Sequence, residues 1–209
     1  MAVKALLGLF ILLQSGPILV DKIAATVNEE IITIHDIERA IAFFPILRQN
    51  NESEETFYSR ILGDLVTYKV IALEYGDEFN LGEEDFEAVQ TQILQRAGSL
   101  EKLLSLLGNF SMSWGEFEEF IREKVLYEKV IREKFQMEIT IPFHEIEEFF
   151  NRDYLPSQRQ LGLEPSTLVE MEPLIEKYLR KLQTEKQLSA WLNDIRSAYK
   201  IETRLRSRQ

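Results

Sequence analysis

The sequence contains no cysteine, and its 209 residues include only two histidines, six prolines and nine glycines. The absence of cysteine excludes disulfide bonds, thiol nucleophiles and cysteine-ligated metal or iron–sulfur sites. So few Gly and Pro residues exclude a linker-rich or disordered chain. Because 45% of the residues are hydrophobic, the chain is expected to bury a core, and its length suits one or two small domains.

Positive charge is also scarce. The chain carries 24 Lys and Arg against 35 Asp and Glu, a formal net charge of −11. Proteins that bind nucleic acid normally need a basic face, which displaces the counterions of the phosphate backbone. We therefore expect no nucleic-acid partner.

The residues that usually carry catalysis do not form a recognisable site. The two histidines, His35 and His144, are each predicted in the first turn of a helix, and neither has a second His three or four residues away to complete a metal site. The sequence has no G-x-S-x-G elbow and no Gly-rich phosphate loop. The 35 carboxylates leave a glycosidase pair open, but no spacing selects one. We expect a protein without catalytic residues, metal or cofactor, which binds rather than reacts.

The first 17 residues, MAVKALLGLFILLQSGP, resemble a secretion signal. One Lys precedes the apolar run Ala5 to Leu13, which is far shorter than the roughly 20 residues needed to span a bilayer. We predict a signal peptide over residues 1–16, with cleavage near Ser15–Gly16 and a periplasmic or other extracytoplasmic location. The alternative is an amino-terminal core helix. Membrane contact is expected only through this leader, if it is retained.

The remaining chain, residues 17–209, predicts a mainly α fold with a small β element. Apolar spacing and capping residues predict a hairpin over residues 22–33 and then a series of helices up to about residue 150. Residues 137–141 are predicted extended and residues 151–166 a loop. The rest is predicted as a long helix from Thr167 and a strand over residues 200–205. Since a lone hairpin is barely stable in water, this last strand is its expected partner.

Several aromatic residues and one methionine lie at predicted helix ends or connections, away from the main apolar stripes. One interpretation is that they complete the core. The other is that some stay exposed and form a cradle for unfolded polypeptide, because aromatic and Met side chains adapt to varied apolar partners. The candidate contact residues are Phe43, Phe44, Phe110, Met112, Trp114, Phe149, Phe150 and Tyr154.

Four segments together resemble the SurA-type extracytoplasmic chaperones. KIAATVNEEIITIHDIERAI is similar to the opening hairpin and helix of that family, and ILGDLVTYKVIALEYGDEFNLGEEDFEAV and SWGEFEEFIREKVLYEKVIREKF are similar to its next helices. LIEKYLRKLQTEKQLSAWLNDIRSAYKIETRL resembles its closing helix and strand, including the W-L-x-x-[IL]-R signature. The resemblance covers nearly the whole chain after the leader.

One departure from the family pattern is large. In that family one or more parvulin-type prolyl isomerase domains normally separate the FHEIEEFF-like helix from the closing helix. Here only residues 151–166 occupy the gap, and even the smallest domains need about 50 residues. The resemblance therefore implies the chaperone module without the isomerase, similar to the helical cradle of trigger factor and SurA.

From this resemblance we expect an ATP-independent, non-catalytic chaperone that binds unfolded or partly folded polypeptides, such as outer-membrane or secreted proteins. An alternative is a scaffold or assembly subunit for one dedicated protein partner, since the long helices could pair with a partner helix or with a second copy as a homodimer. A residual prolyl isomerase is the third hypothesis, which the missing domain disfavours.

Overall fold

The structure is a computed structural model, and it describes residues 21–135 and 140–205. The predicted leader therefore lies outside the described residues, as do residues 137–139 of the predicted extended segment. The strands are β1 (Ile23–Val27), β2 (Glu30–Thr33) and β3 (Ile201–Thr203). The helices are α1 (Ile34–Phe43), α2 (Glu54–Tyr75), α3 (Glu83–Ala97), α4 (Leu100–Asn109), α5 (Trp114–Phe135), α6 (Phe143–Phe149), α7 (Leu155–Gln160) and α8 (Leu168–Ser197), with a π-helical turn over Phe150–Tyr154. The predicted mainly α fold with a small β element is confirmed.

The three strands form one antiparallel sheet in the order β2-β1-β3. The hairpin turn places Asn28 in the left-handed region at a φ of 52°, a conformation that Asn tolerates better than most residues. The Asn28 amide donates to the Lys200 carbonyl at 2.8 Å, and the Asn28 Oδ1 accepts from the Lys200 amide at 3.0 Å. The predicted pairing of the terminal strand with the hairpin is confirmed.

Three predicted capping residues start helices as expected. The Thr33 hydroxyl accepts from the Asp36 amide at 3.2 Å, and the Asp36 carboxylate accepts from the Thr33 amide at 2.9 Å. Ser113 with Glu116 starts α5 in the same reciprocal way, and Thr167 with Glu170 starts α8. Each pair satisfies backbone N–H groups that have no partner within the helix.

The main core lies between the sheet and helices α1 to α5. We call residues 21–135, together with the end of the chain from Trp191 to Leu205 that packs on them, the amino-terminal body. Its centre is made of side chains that are at most 1% exposed, including Phe43, Ile61, Phe117 and Ile121. The longest helices of this body, α2 and α5, pack against each other and enclose these residues.

Residues 141–182 form a second, smaller packing unit, which we call the helical extension. Its buried side chains are Ile141, Ile146, Phe150 and Ile175. Helix α6 lies antiparallel to the first half of α8, as shown by the hydrogen bond from Gln183 Nε2 to Glu145 Oε2 at 2.8 Å and by the ring contact between Phe149 and Tyr178 at 5.3 Å.

The prediction of a loop over residues 151–166 was wrong for its first ten residues. The chain continues from α6 through the π-helical turn into α7. Pro156 has no N–H to donate to the carbonyl four residues earlier, and the wider π turn directly before it accommodates the missing bond. The helix ends where Gly162 adopts a φ of +69°, and the loop is confined to the residues between α7 and α8.

Helix α8 has 30 residues and joins the two packing units. Its first half packs on α6 through Ile175 and Leu179, whereas Trp191 and Ile195 near its end pack on α2 and α5. The spacing of apolar residues predicts one continuous buried stripe along α8, but the stripe is interrupted at Leu182, the last residue of the extension, which is 43% exposed. Within residues 21–135 and 140–205 no helix is both long and apolar enough to cross a membrane.

Candidate functional site

Exposed apolar side chains are concentrated in the helical extension. This unit contains seven of the fifteen large hydrophobic residues that are exposed in the described chain, but only four of its 29 buried hydrophobic residues of any size. The seven are Phe143, Leu161, Leu163, Val169, Leu174, Tyr178 and Leu182. An apolar surface of this kind is a recognised mark of a protein or ligand contact site.

Three of these side chains form a row on α8, which we call the α8 row. Leu174, Tyr178 and Leu182 are four residues apart, so they lie on one face of the helix. They are 59%, 50% and 43% exposed, respectively. The Phe149 ring, which is half-buried, supports Tyr178 from α6. The row is therefore an apolar surface held by a rigid helix.

Charged residues surround the α8 row. Residues 141–182 contain eight acidic and five basic side chains. Arg180 pairs with Glu176, and Lys181 lies 3.7 Å from Glu185. Such exposed pairs add little to stability, but they keep an apolar surface soluble and leave a net negative rim around it.

A second feature is a cleft of about 470 Å³ in the amino-terminal body, between β2, α1, α2 and α5. We call it the hairpin cleft. Its walls are both apolar and charged. The apolar lining consists of Ile31, Ile32, Phe44, Leu65, Met112 and Phe120 together with the ring of Tyr68. The volume is in the range of pockets that hold small ligands or a few side chains.

The cations of the hairpin cleft are held by carboxylates. Lys69 pairs with Glu123 and lies 3.6 Å from Glu30, and Lys124 pairs with Glu128 one turn along α5. Burial raises the pKa of Glu123, and the Lys69 ammonium only partly opposes this. Since each of these ammonium groups already has a carboxylate partner, the cleft is better suited to neutral or basic ligands than to anions.

The eight predicted contact residues are divided among the hairpin cleft, the helical extension and the core of the amino-terminal body. Phe44 and Met112 line the hairpin cleft, although both side chains are at most 8% exposed. Phe110 is half-buried and packs against the rings of His35 and Phe43. Trp114 is 40% exposed, and its indole N–H donates to Glu118 at 2.9 Å.

The other predicted residues lie deeper or in the extension. Phe43 is 1% exposed and Phe150 is 8% exposed, because each fills the centre of its packing unit. Both side chains have little accessible area in this structure, and their role as contact residues stays a prediction. Phe149 and Tyr154 are half-buried in the extension, and the Tyr154 hydroxyl accepts from the Ser166 amide at 3.1 Å. The residues therefore do not form one cradle.

Sequence reasoning missed the α8 row. The signal was present, because Leu174, Tyr178 and Leu182 repeat at a spacing of four beside the stripe that includes Ile175 and Leu179. Two adjacent stripes make a face wider than one packing partner covers. Leu182 was assigned to the buried stripe, and the other two were not assigned.

The described residues contain no group of three or more His, Cys, Asp or Glu side chains placed to hold a metal ion. Neither histidine lines the hairpin cleft.

Comparisons with solved structures give a structural likeness. No protein-family model matches the chain, and no curated protein matches its sequence. Among solved structures, a chain from the study of the virulence factor PEB4 and the periplasmic protein Cj1289 of Campylobacter jejuni, described as two structurally related SurA-like chaperones, is similar over 89% of this chain and 100% of its own. The TM-score is 0.49 and the identity 13%, values that establish neither family nor function.

Proposed function

We propose that this protein is a chaperone that binds unfolded or partly folded polypeptides, without nucleotide and without catalysis. The observation that carries the proposal is the concentration of exposed apolar side chains on the helical extension, above all the α8 row. A folded unit that leaves more large apolar residues exposed than buried has surface available for another chain. The resemblance of four ordered sequence segments to SurA-type chaperones supports the same function.

Binding would occur by reversible burial of the client's apolar side chains against the α8 row. Burying apolar area contributes roughly 25 cal/mol per Å², and association itself has a large entropic cost. A row of three side chains therefore supports weak, broad binding in the micromolar range rather than tight recognition of one sequence. With a net charge of −11, the protein favours neutral or basic clients.

Export forms part of the proposal. The apolar leader ahead of Asp21 supports delivery to the periplasm or another extracytoplasmic compartment, where ATP is not available to drive a chaperone. Outer-membrane and secreted proteins are the clients that such a location would supply.

Light scattering of aggregating clients tests the function directly. The chain from Pro17 onward is mixed at equal molar ratio with several unrelated, chemically unfolded proteins, without nucleotide. We expect reduced scattering for most of them. No reduction with any client would refute the proposal. A proline-peptide isomerisation assay, run in parallel, is expected to show no rate enhancement; an enhancement would contradict the non-catalytic part.

The second candidate function is a scaffold for one folded partner. The 30-residue helix α8, with one buried residue, favours it because a long exposed helix is a suitable docking element. The two functions differ in selectivity. A scaffold would be recovered with one partner in a pull-down and would not suppress aggregation of unrelated proteins.

A further inference from the structure

Strand β2 is an edge of the sheet beside the hairpin cleft. In the order β2-β1-β3, the described residues pair β2 on one side only. Edge strands carry unpaired N–H and C=O groups that can accept another strand, and most proteins cover or interrupt them. The outer side of β2 is therefore a candidate site for pairing with another strand.

The hydrogen-bond pattern identifies which backbone groups of β2 point outward. The Ala24 carbonyl accepts from the Arg204 amide and the Asn28 amide donates to the Lys200 carbonyl, so these alternate positions of β1 face β3. The intervening residues Ala25 and Val27 therefore face β2, where their partners are Ile32 and Glu30. By the same alternation, the N–H and C=O of Ile31 point away from the sheet.

Ile31 is the position at which this edge is open. The next outward-facing amide, that of Thr33, donates to the Asp36 carboxylate at 2.9 Å and is not available. The N–H and C=O of Ile31 both point away from β1, and neither has a hydrogen-bond partner among the described residues. The Ile31 side chain is 51% exposed. The edge thus offers one donor and one acceptor on a single residue.

The hairpin cleft reaches the same edge. It is lined by both Ile31 and Ile32, and neighbouring side chains of a strand point to opposite faces. Since the cleft is lined by side chains from both faces of β2, it lies at the edge of the strand and not over one face. An extended chain paired with Ile31 would therefore place a side chain at the mouth of the cleft.

Charge favours one kind of occupant. The lining includes four carboxylates, and Lys69 and Lys124, two of its three cations, are paired with Glu123 and Glu128. Glu116 and Glu119 lie at the exposed side of the cleft. Among the described residues, Glu119 pairs with Arg122, whose side chain is itself exposed. A peptide with an apolar residue flanked by Lys or Arg complements this surface.

We propose that an extended, basic-apolar polypeptide segment binds by adding a strand to β2, exchanging two backbone hydrogen bonds with Ile31 and placing an apolar side chain in the hairpin cleft. This inference rests on the proposed chaperone function and adds the backbone recognition of the client. Strand addition reads the main chain, so it suits a protein that binds many sequences.

Backbone methylation of the ligand tests the proposal without altering the protein. A panel of fluorescein-labelled decapeptides, each with a central apolar residue flanked by Lys, is titrated by fluorescence anisotropy. For the tightest binder, each amide is then N-methylated in turn. Methylation of the residue opposite Ile31 should weaken binding about tenfold, since a hydrogen bond is lost and a methyl group faces the strand. Methylation of either adjacent amide, which points away from β2, should change it less than about twofold.

A variant pair gives the matching result on the protein side. Ile31→Pro removes the outward N–H without removing a ladder bond, and should weaken binding about fivefold. Ile31→Val keeps the N–H and a branched side chain, and should weaken binding clearly less than Ile31→Pro does. Equal effects of N-methylation at all positions, or no binding by any peptide of the panel, would overturn strand addition.

The two proposals fail in different ways. If clients are protected from aggregation but methylation shows no alternation along the peptide, strand addition is refuted and the chaperone function stands. If neither protection nor peptide binding occurs, both are refuted.

Discussion

The amino-terminal body and the helical extension use their apolar residues in opposite ways. In the body and the end of the chain that packs on it, 25 large or small hydrophobic residues are buried and eight large ones are exposed, whereas the extension buries four and exposes seven. Both units are helical, and each contains a helix that starts with a reciprocal capping box. The difference lies in how much of each helix is covered by a partner.

This difference shows which part of the chain serves stability and which part is free for binding. The body closes on itself, because α2 and α5 cover each other and the terminal strand completes the sheet. The extension has only α6, α7 and the first half of α8, so one face of α8 has no internal partner in the described chain. A unit with so small a core depends on the body for its position and retains an exposed apolar surface.

A matched pair of Phe truncations should give the largest difference between the units. Phe43 is 1% exposed, and its ring lies within 5.4–6.1 Å of Phe117, Phe110 and Phe120. Phe43→Ala should lower the free energy of unfolding by about 3–5 kcal/mol. Phe149→Ala, which removes a half-buried ring in the extension, should cost about 1 kcal/mol. Urea denaturation followed by circular dichroism measures both, and equal losses would contradict the comparison.

Removal of the terminal strand should have the next largest effect. Deleting residues 200–209 removes the β3 pairing, including the bonds of Lys200 to Asn28 and of Arg204 to Ala24. At roughly 1 kcal/mol for each backbone bond, and with the loss of Ile201 packing, the body should lose about 3 kcal/mol. Deleting only residues 206–209 is the control and should leave the melting temperature unchanged. The same melting temperature for both deletions would show that β3 does not close the body.

Asp85 links two helices of the body through a buried charge network. Its carboxylate, which is 4% exposed, accepts from Lys129 at 2.7 Å, from Arg132 at 2.5 Å and from the Gly82 amide at 3.0 Å. Burial alone would raise the pKa of this carboxyl, but the three hydrogen bonds outweigh it and lower the pKa to about 2. Asp85→Asn removes the buried negative charge that Lys129 and Arg132 share, and should cost about 2–3 kcal/mol at pH 7.

The sign of the pH dependence follows from the lowered pKa. The folded state binds a proton at Asp85 less readily than the unfolded state, so the stability from this group is complete above about pH 5 and is lost as the pH falls through about 2. The difference in unfolding free energy between the unchanged protein and Asp85→Asn should therefore shrink on acidification. A difference that stays constant from pH 7 to pH 2 would contradict the assigned network.

The fold was predictable from the sequence where local signals and burial agree. The sequence predicts α3 at its observed bounds and α5 from Ser113 to about Phe135, because Gly82 and Gly98 flank α3 and Ser113 with Glu116 caps the start of α5. The partner of the hairpin was predictable as well, since an unpaired hairpin is unstable. The helix ends follow from the chemistry of neighbouring residues, and the pairing of β3 follows from the need of the hairpin for a third strand.

The candidate site was less predictable. Phe43 and Phe44 are neighbours in sequence, yet Phe43 fills the core and Phe44 lines the hairpin cleft. Which of two adjacent aromatic residues remains accessible depends on the packing of helices that are distant in sequence. The helix around Pro156 was missed for another reason: a π turn satisfied the backbone where the sequence indicated a break.

We propose that the α8 row binds clients and contributes little to the stability of the protein. The variant Leu174→Gln/Tyr178→Gln/Leu182→Gln keeps the helix, because Gln has nearly the helix propensity of Leu, and should change the unfolding free energy by less than about 1 kcal/mol. The matched control, Leu73→Gln/Leu94→Gln/Leu104→Gln, replaces three side chains of the body that are 37–52% exposed.

The most direct measurement compares both variants with the unchanged protein in suppressing aggregation of unfolded clients by light scattering. If the α8 row binds clients, half-maximal suppression should require at least several-fold more of the α8-row variant than of the unchanged protein. The body variant should suppress aggregation at the same concentration as the unchanged protein. Equal suppression by all three proteins, or a loss confined to the body variant, would contradict this proposal.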